Sequence, residues 1–240
     1  MNQETLTQIL ASDQKLQLTS KQKAQFQAFY QLLVAWNQKM NLTAITDESE
    51  VYLKHFYDSL TLGRYADLSQ PLTVADIGGG AGFPSIPLKI AYPNLRITVV
   101  DSLNKRMTFI QAVKEELGLG GIETVHARAE DFGRDPKNRD HFDIVTARAV
   151  ARMTVLSEYC LPLVKKGGTF WALKGSQGAD ELTRAETAIK TLGGKVIQNH
   201  EFNLPEDGGE RHIIQIEKRK ETPKKYPRKA GVPQKKPLGE

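Results

Sequence analysis

Cysteine is almost absent from the 240 residues. Cys160 stands alone, so no disulfide can close within the chain, and a reducing cytoplasm is the expected location. No apolar run approaches the roughly 18 residues that span a bilayer. The opening MNQETLTQIL has neither the basic nor the apolar stretch of a signal peptide, so no membrane partner is expected. The five histidines, at 55, 126, 141, 200 and 212, lack zinc-ligand spacing, and no metal is expected. Aromatic residues make up only 8% of the chain, and most fall in apolar stripes, which leaves few to stack on exposed bases.

What is present begins with charge. The net charge is +5, but residues 218–240 hold nine Lys or Arg against two Glu, a local +7. The remaining 217 residues therefore carry about −2 by subtraction. A nearly neutral body with a basic, Pro-rich tail points to a polyanion partner, most simply nucleic acid, with a solubilising tail as the alternative. Lys224, Lys225, Arg228 and Lys229 are the tail candidates for RNA phosphate. The tail shows no apolar periodicity, so neither helix nor strand is assigned to it.

Three segments follow from the patterning. Residues 1–70 read as a helical cap: Phe26, Tyr30, Leu33, Trp36 and Met40 recur at three- and four-residue steps, and a further helix starts near Asp47 or Ser49. Residues 71–217 alternate short β-branched runs with helices, as in LTVADIG, RITVVD, IETVHA, FDIVTARA and GGTFWALKG. This implies right-handed crossovers and a parallel sheet covered on both faces. On the helix over 104–118, Met107, Ile110, Val113 and Leu117 form the edge expected to be buried. KVIQNHEF and RHIIQIEK have only NLPEDGGE between them and should form a terminal antiparallel hairpin. The fold class expected is therefore α/β, with seven mostly parallel strands in the Rossmann-like class I methyltransferase arrangement. Residues 218–240 form the third segment.

The first strand runs into DIGGGAGFP. Counted from Gly78, the third glycine of a dinucleotide fingerprint falls on Phe83, and no Lys-Ser or Lys-Thr follows to make a phosphate loop. The spacing is D-x-G-x-G-x-G, from Asp76 through Gly78, Gly80 and Gly82, which suits a compact nucleoside more than a pyrophosphate. Asp101 ends the second strand, where a carboxylate can accept from ribose hydroxyls. Ala129 and Glu130 follow the third strand, near the expected adenine. Singly, the glycines also read as a structural turn and the acids as helix caps. In this order and at strand ends, they favour S-adenosylmethionine as cofactor, with S-adenosylhomocysteine as product.

The stretches DIGGGAGFPSIPLKI, VVDSLNKR, RAED, ARAVA, LPLVKKGG, ALKG and GERH, with NLTAI…HFYDSL upstream, resemble the ribosomal RNA small subunit methyltransferase G family. That family was earlier named glucose-inhibited division protein B. The resemblance runs from about residue 26 to 217, with Gly79 and Ser85 standing where another small residue is common. It implies methyl transfer to N7 of one guanine of 16S rRNA in the small ribosomal subunit. It also implies that Gly78, Gly80 and Phe83 line the methionine and ribose side, Asp101 the ribose, Ala129 and Glu130 the adenine, and Arg148 the floor near the methyl group.

The chemistry fits this implication. Guanine N7 carries a lone pair and no proton, so alignment matters more than a general base. A C5-pyrimidine enzyme needs a thiolate, but Cys160 sits in an apolar helical stretch. The Asn/Asp-Pro-Pro-aromatic tetrad of amino-group methyltransferases is replaced by TARA. Arg148 is expected either to orient substrate or cofactor or to pair with Asp143 or Glu130. Lys174 and Arg211 are candidates for RNA phosphate, each also readable as structural, and His55 and Asp58 lie one helical turn apart. Removing residues 218–240 is expected to weaken RNA binding and to spare cofactor affinity. The competing readings are a small-molecule methyltransferase, a non-catalytic RNA-binding assembly factor and, least favoured, a dehydrogenase. Nothing in the sequence demands more than a monomer.

Overall fold

The computed structural model describes residues 1–239. Helix α1 spans Gln3–Gln14 and α2 spans Ser20–Met40. Thr19 caps α2 in a reciprocal box with Gln22, which satisfies donors that the first turn leaves open. Asp47 caps α3 (Glu48–Val51), which runs into a π-helical stretch at Tyr52–Tyr57, then α4 (Asp58–Leu60) and a 3₁₀ turn at Thr61–Arg64.

The strands are β1 (Thr73–Ile77), β2 (Arg96–Asp101), β3 (Ile122–His126), β4 (Phe142–Arg148), β5 (Val164–Lys174), β6 (Gly194–Asn203) and β7 (Glu210–Lys218). Their order across the sheet is β3-β2-β1-β4-β5-β7-β6. The first five are parallel, while β7 lies between β5 and β6 and runs antiparallel to both. The hairpin expected at the sheet end is therefore folded back, with its second strand innermost. Between the strands run α5 (Ser85–Ala91), α6 (Asn104–Glu116), α7 (Ala129–Arg134), α8 (Met153–Cys160) and α9 (Gly178–Thr191).

Side chains alternate across a strand, so neighbouring residues enter opposite layers. Val74, Val99, Ile144, Trp171 and Ile213 join an apolar cluster with Phe26, Phe29 and Leu33 of α2 and with Met107, Phe109, Ile110 and Val113 of α6. Ala75, Val100, Val145, Ala172 and Ile214 join a second cluster with Phe132, Met153, Leu156, Ala185 and Ile189 beneath α7, α8 and α9. The N-terminal helices thus cover one face of the sheet. Phe29 contacts Phe83 at 5.4 Å and Trp36 contacts Phe109 at 5.6 Å between ring centroids.

The C-terminal segment departs from expectation in two ways. Lys218 is the last residue of β7 and fully buried, its Nζ donating to Asp140 and to the carbonyls of Leu161 and Val164, so the tail proper starts at Arg219. The tail also contains one helical turn, α10 (Val232–Lys235), and Thr222, Tyr226 and Pro233 are buried. No helix among the described residues is long and apolar enough to cross a membrane.

Candidate active site

The turn after β1 is held by backbone. The amides of Gly78 and Gly79 donate to the Val100 carbonyl at 2.7 and 3.3 Å, and Gly82 closes back on Gly79 at 2.7 Å. Gly78 has φ +72°, and a β-carbon there would lie 2.5 Å from Val150 Cγ2. Glycine is required on both counts. Beside this turn lies a cavity of about 270 Å³ whose wall includes Gly78, Asp101, Arg106, Ala129, Glu130 and Tyr159.

Of the residues expected at a nucleoside, Gly78, Asp101, Ala129 and Glu130 line this cavity. Gly80 lies one step back, its amide donating to Asp101 Oδ2 at 3.1 Å. Arg106 meets the same oxygen at 3.1 Å, and Asp101 Oδ1 accepts from the Leu103 amide at 2.9 Å. Phe83 is outside the cavity, only 7% exposed, stacked on His55 at 4.4 Å with the Arg148 guanidinium over its ring at 5.3 Å. Glu130 is buried and accepts from the Gly231 amide at 2.8 Å. Tyr159, beside it, has its phenol pushed up to about 12 by burial and by the Glu130 charge.

Asp76 lies behind the glycine turn, wholly enclosed. Ser85 Oγ donates to one of its carboxylate oxygens, while Oδ1 has no partner. Burial raises this carboxyl to about 7, against the Ser85 hydrogen bond. A glycine cradle with an underserved buried acid behind it is suited to a ligand that brings a positive charge.

A second cavity of about 480 Å³ opens on the other side of the loop after β4 and is lined in part by Lys54, His55, Asp58, Arg148, Lys174 and Arg211. Arg148, expected to orient substrate or cofactor or else to pair with Asp143 or Glu130, pairs with Asp58. Its Nη1 donates to Asp58 Oδ2 at 2.7 Å and to the Lys54 carbonyl at 3.0 Å, and its Nη2 donates to His55 Nδ1 at 2.8 Å. Nδ1 is then unprotonated, so Nε2–H donates to Thr43 Oγ1 at 2.8 Å. Burial first, and the Arg148 charge second, hold the imidazole near 3, so it is neutral. Arg211 Nε donates to the other Asp58 oxygen at 2.9 Å. Lys174 pairs with Glu181 at 2.6 Å and donates to the Ala151 carbonyl at 2.9 Å. Asp143 meanwhile serves Thr73 and Lys165.

The two cavities have one residue in common, Ala149. Its φ is +56°, a left-handed conformation that a non-glycine residue adopts only when its surroundings hold it there. Sequence reasoning missed this junction, because nothing in the residue type announces the dihedral. It also missed Arg106, Tyr159 and Gln234 on the first cavity.

The tail candidates divide. Lys224, Lys225 and Lys229 are exposed and, with Arg134, line a basic crevice. Arg228 is taken up internally: its backbone amide and Nε donate to Glu158 Oε1 at 2.7 and 2.9 Å, and its Nη2 to Oε2 at 2.6 Å. Cys160 is buried and its thiol pushed well up by burial. No metal-holding group of His, Cys, Asp and Glu exists among the described residues.

Known proteins resemble this chain in sequence and in fold. A profile of rRNA small subunit methyltransferase G matches residues 22–214. A protein of that name from Staphylococcus haemolyticus is 60% identical over 227 residues, covering 95% of this chain and 94% of the relative. One from Staphylococcus aureus is 58% identical over 226 residues, covering 94% of each. Among solved structures, a SAM dependent methyltransferase from Aquifex aeolicus overlays with TM-score 0.53 at 16% identity, over 71% of this chain and 93% of that one. An Aeropyrum pernix fibrillarin with natively bound S-adenosyl-L-methionine overlays with TM-score 0.52 at 12% identity, over 66% and 72%. At these identities the structures speak to the fold alone, which is that of the class I methyltransferases. The sequence relatives go further: this chain belongs to the rRNA small subunit methyltransferase G family.

Proposed function

We propose that this protein transfers a methyl group from S-adenosylmethionine to N7 of one guanine in 16S rRNA, acting as a monomer in the cytoplasm on the small ribosomal subunit. The cofactor supplies an electrophilic methyl on a sulfonium. The Gly78 cavity is where it fits: Asp101 faces the ribose, Ala129 and Glu130 the adenine, and the turn at Gly78 and Gly80 the amino-acid tail. Asp76 behind the turn favours the cationic end. Phe83 acts from beneath by fixing His55 and Arg148 rather than as a wall.

The observation that carries the N7 reading is the state of the second cavity, where, among the described residues, the carboxylates and imidazoles already have partners. Asp58 is bound by two arginines and Glu181 by Lys174. His55 accepts from Arg148, and His212 is held by Asn199 and Glu210. An amino or hydroxyl target must lose a proton to a base; a ring nitrogen with a lone pair needs only to be aligned. Lys54, Arg148, Lys174 and Arg211 make the cavity cationic, which suits a phosphate-bearing substrate and disfavours a neutral small molecule. Methyl passes between the cavities at Ala149. There the backbone, and Arg148 beside it, set the target against the cofactor.

The test is transfer of radiolabelled methyl from S-adenosylmethionine to small subunits lacking the modification, followed by nucleoside analysis. Label is expected as 7-methylguanosine in 16S rRNA. Label on another base, or none while cofactor binding is measurable, would overturn the reading.

A further inference from the structure

The basic tail is built into the protein. Arg219 and Lys220 amides donate to the Gly193 carbonyl at 2.9 and 3.0 Å, and Thr222 Oγ1 donates to the Leu192 carbonyl at 2.7 Å. Arg139 then donates to the carbonyls of Tyr226 at 2.7 Å and Thr222 at 2.5 Å. The Arg228–Glu158 fork fixes the next turn, with Glu158 fully buried. From there the chain crosses to the Gly78 cavity, where the Gly231 amide reaches Glu130 Oε1 and Gln234 of α10 joins the wall. Leu238 then packs against the second apolar cluster.

The cavity extends from Gly78 after β1, past Asp101 of β2, to Ala127 and Glu130 after β3. Methyl transfer belongs at Ala149, after β4, so the far end of a bound nucleoside, its base, lies on the β3 side. Arg128 there only donates, Glu130 only accepts, with one oxygen already bound to the tail, and Tyr159 brings a single hydroxyl that hydrogen-bonds Glu130. Gln234 is the only carboxamide among the described residues lining this cavity. A planar amide with adjacent donor and acceptor matches adenine, whose 6-amino group donates beside an accepting ring nitrogen.

We infer that the C-terminal strap is a wall of the cofactor site, with Gln234 contacting the adenine edge and Glu130 acting through the Gly231 amide to hold Gln234 there. Gln234 is thus a specificity residue for the cofactor, and Glu130 a positioning residue. The inference rests on the Gly78 cavity being the cofactor site. It runs against the expectation that removing residues 218–240 spares cofactor affinity.

The test is isothermal titration of the full chain with S-adenosylhomocysteine and with its analogue lacking the 6-amino group. Wild type should bind the analogue about tenfold more weakly, a typical margin for one bidentate contact. Gln234→Ala should lose about tenfold for S-adenosylhomocysteine and bind the two ligands alike, because the same contact has been removed from either side. Gln234 is exposed, so this substitution leaves the fold intact. Gly78→Val, checked for retained circular dichroism, should bind neither ligand. If it binds neither while Gln234→Ala keeps the full 6-amino preference, the strap inference is wrong. If Gly78→Val binds normally, the cavity assignment beneath it is wrong instead.

Discussion

Arg148 at the end of β4 and Asp58 at the start of α4 form an ion pair at 2.7 Å across 90 residues of sequence. The pair joins the helical segment over one face of the sheet to the loop on which both cavities meet. Both side chains are mostly buried, at 15% and 10% exposure. Asp58→Ala leaves Arg148 and Arg211 without their carboxylate, and breaking a buried pair of this kind costs about 3 kcal/mol. Urea unfolding measures it, and a loss under about 1 kcal/mol would mean that solvent screens the pair.

Gly78 and Gly80 both have positive φ, but only the first is also crowded. A β-carbon at Gly78 meets Val150 at 2.5 Å, whereas at Gly80 the nearest atom is 3.6 Å away. Gly80→Ala should therefore show only the backbone cost, about 1 kcal/mol, with cofactor still bound. Gly78→Ala should in addition displace Val150 into the cavity and weaken binding at least tenfold. Equal affinities for the two variants would contradict this.

Asp76 gives the site a pH signature. Its carboxyl sits at about 7 in the fold against 3.8 in an unfolded chain, chiefly through burial. Between those values the folded form holds a proton that the unfolded form has lost. The associated stability is full below about 4 and lost as pH rises through about 7. Asp76→Asn, which keeps an acceptor for Ser85, should flatten the loss of stability between about pH 4 and pH 7, as read by thermal unfolding.

A cation arriving at the glycine turn favours the ionised carboxylate. Cofactor binding near pH 6.5 should then release protons, seen as a dependence of the binding enthalpy on the buffer's ionisation enthalpy. Wild type without proton release, or Asp76→Asn with the same release, would remove Asp76 from the cofactor's charge environment.

The tail lysines and Arg228 should separate cleanly. Changing Lys224, Lys225 and Lys229 together to Gln removes up to three phosphate contacts, lowering the salt slope of RNA binding by about 2 with the melting temperature kept. Arg228→Ala leaves the buried Glu158 carboxylate unpaired at a cost of about 3 kcal/mol, and the salt slope should hold. RNA titrations across salt concentrations, beside melting curves, distinguish the two effects.

The strands were legible because alternation and β-branching report burial directly; β6 and β7 begin one residue earlier than they read, and β5 three. Its start, Val164 to Lys166, lies outside the run GGTFWALKG, but the β5 register reaches back to pair Val164 with Phe142, and Lys165 meets Asp143. The helix expected to start near Asp47 or Ser49 reads as an ordinary one. In fact the π-helical turns at Tyr52–Tyr57 add a residue per turn, and they bring the Lys54 carbonyl, His55 and Asp58 onto one guanidinium, a convergence that a 3.6-residue period cannot signal. The tail was opaque for another reason. Its order comes from Arg139, Glu158 and Glu130, all distant in sequence, so its own residues show no periodicity. Glu130 and Arg148 were picked out as chemically important, but their partners, Gly231 and Asp58, lay beyond local pattern.

The strand order β5-β7-β6 imposes a timetable on synthesis. Both sides of β7 are hydrogen-bonded within the sheet, and β7 is the last strand to leave the ribosome. Until it does, β5 presents an open edge and β6 has no neighbour, so the apolar alternation of Phe170 and Ala172 lacks its Ile214 and Ile216 counterparts. The nascent chain can complete the five parallel strands, but the sheet closes only once β7 has followed them. A chain truncated anywhere before residue 218 is left with exposed edges, and the cell would meet it as a substrate for chaperones and proteases.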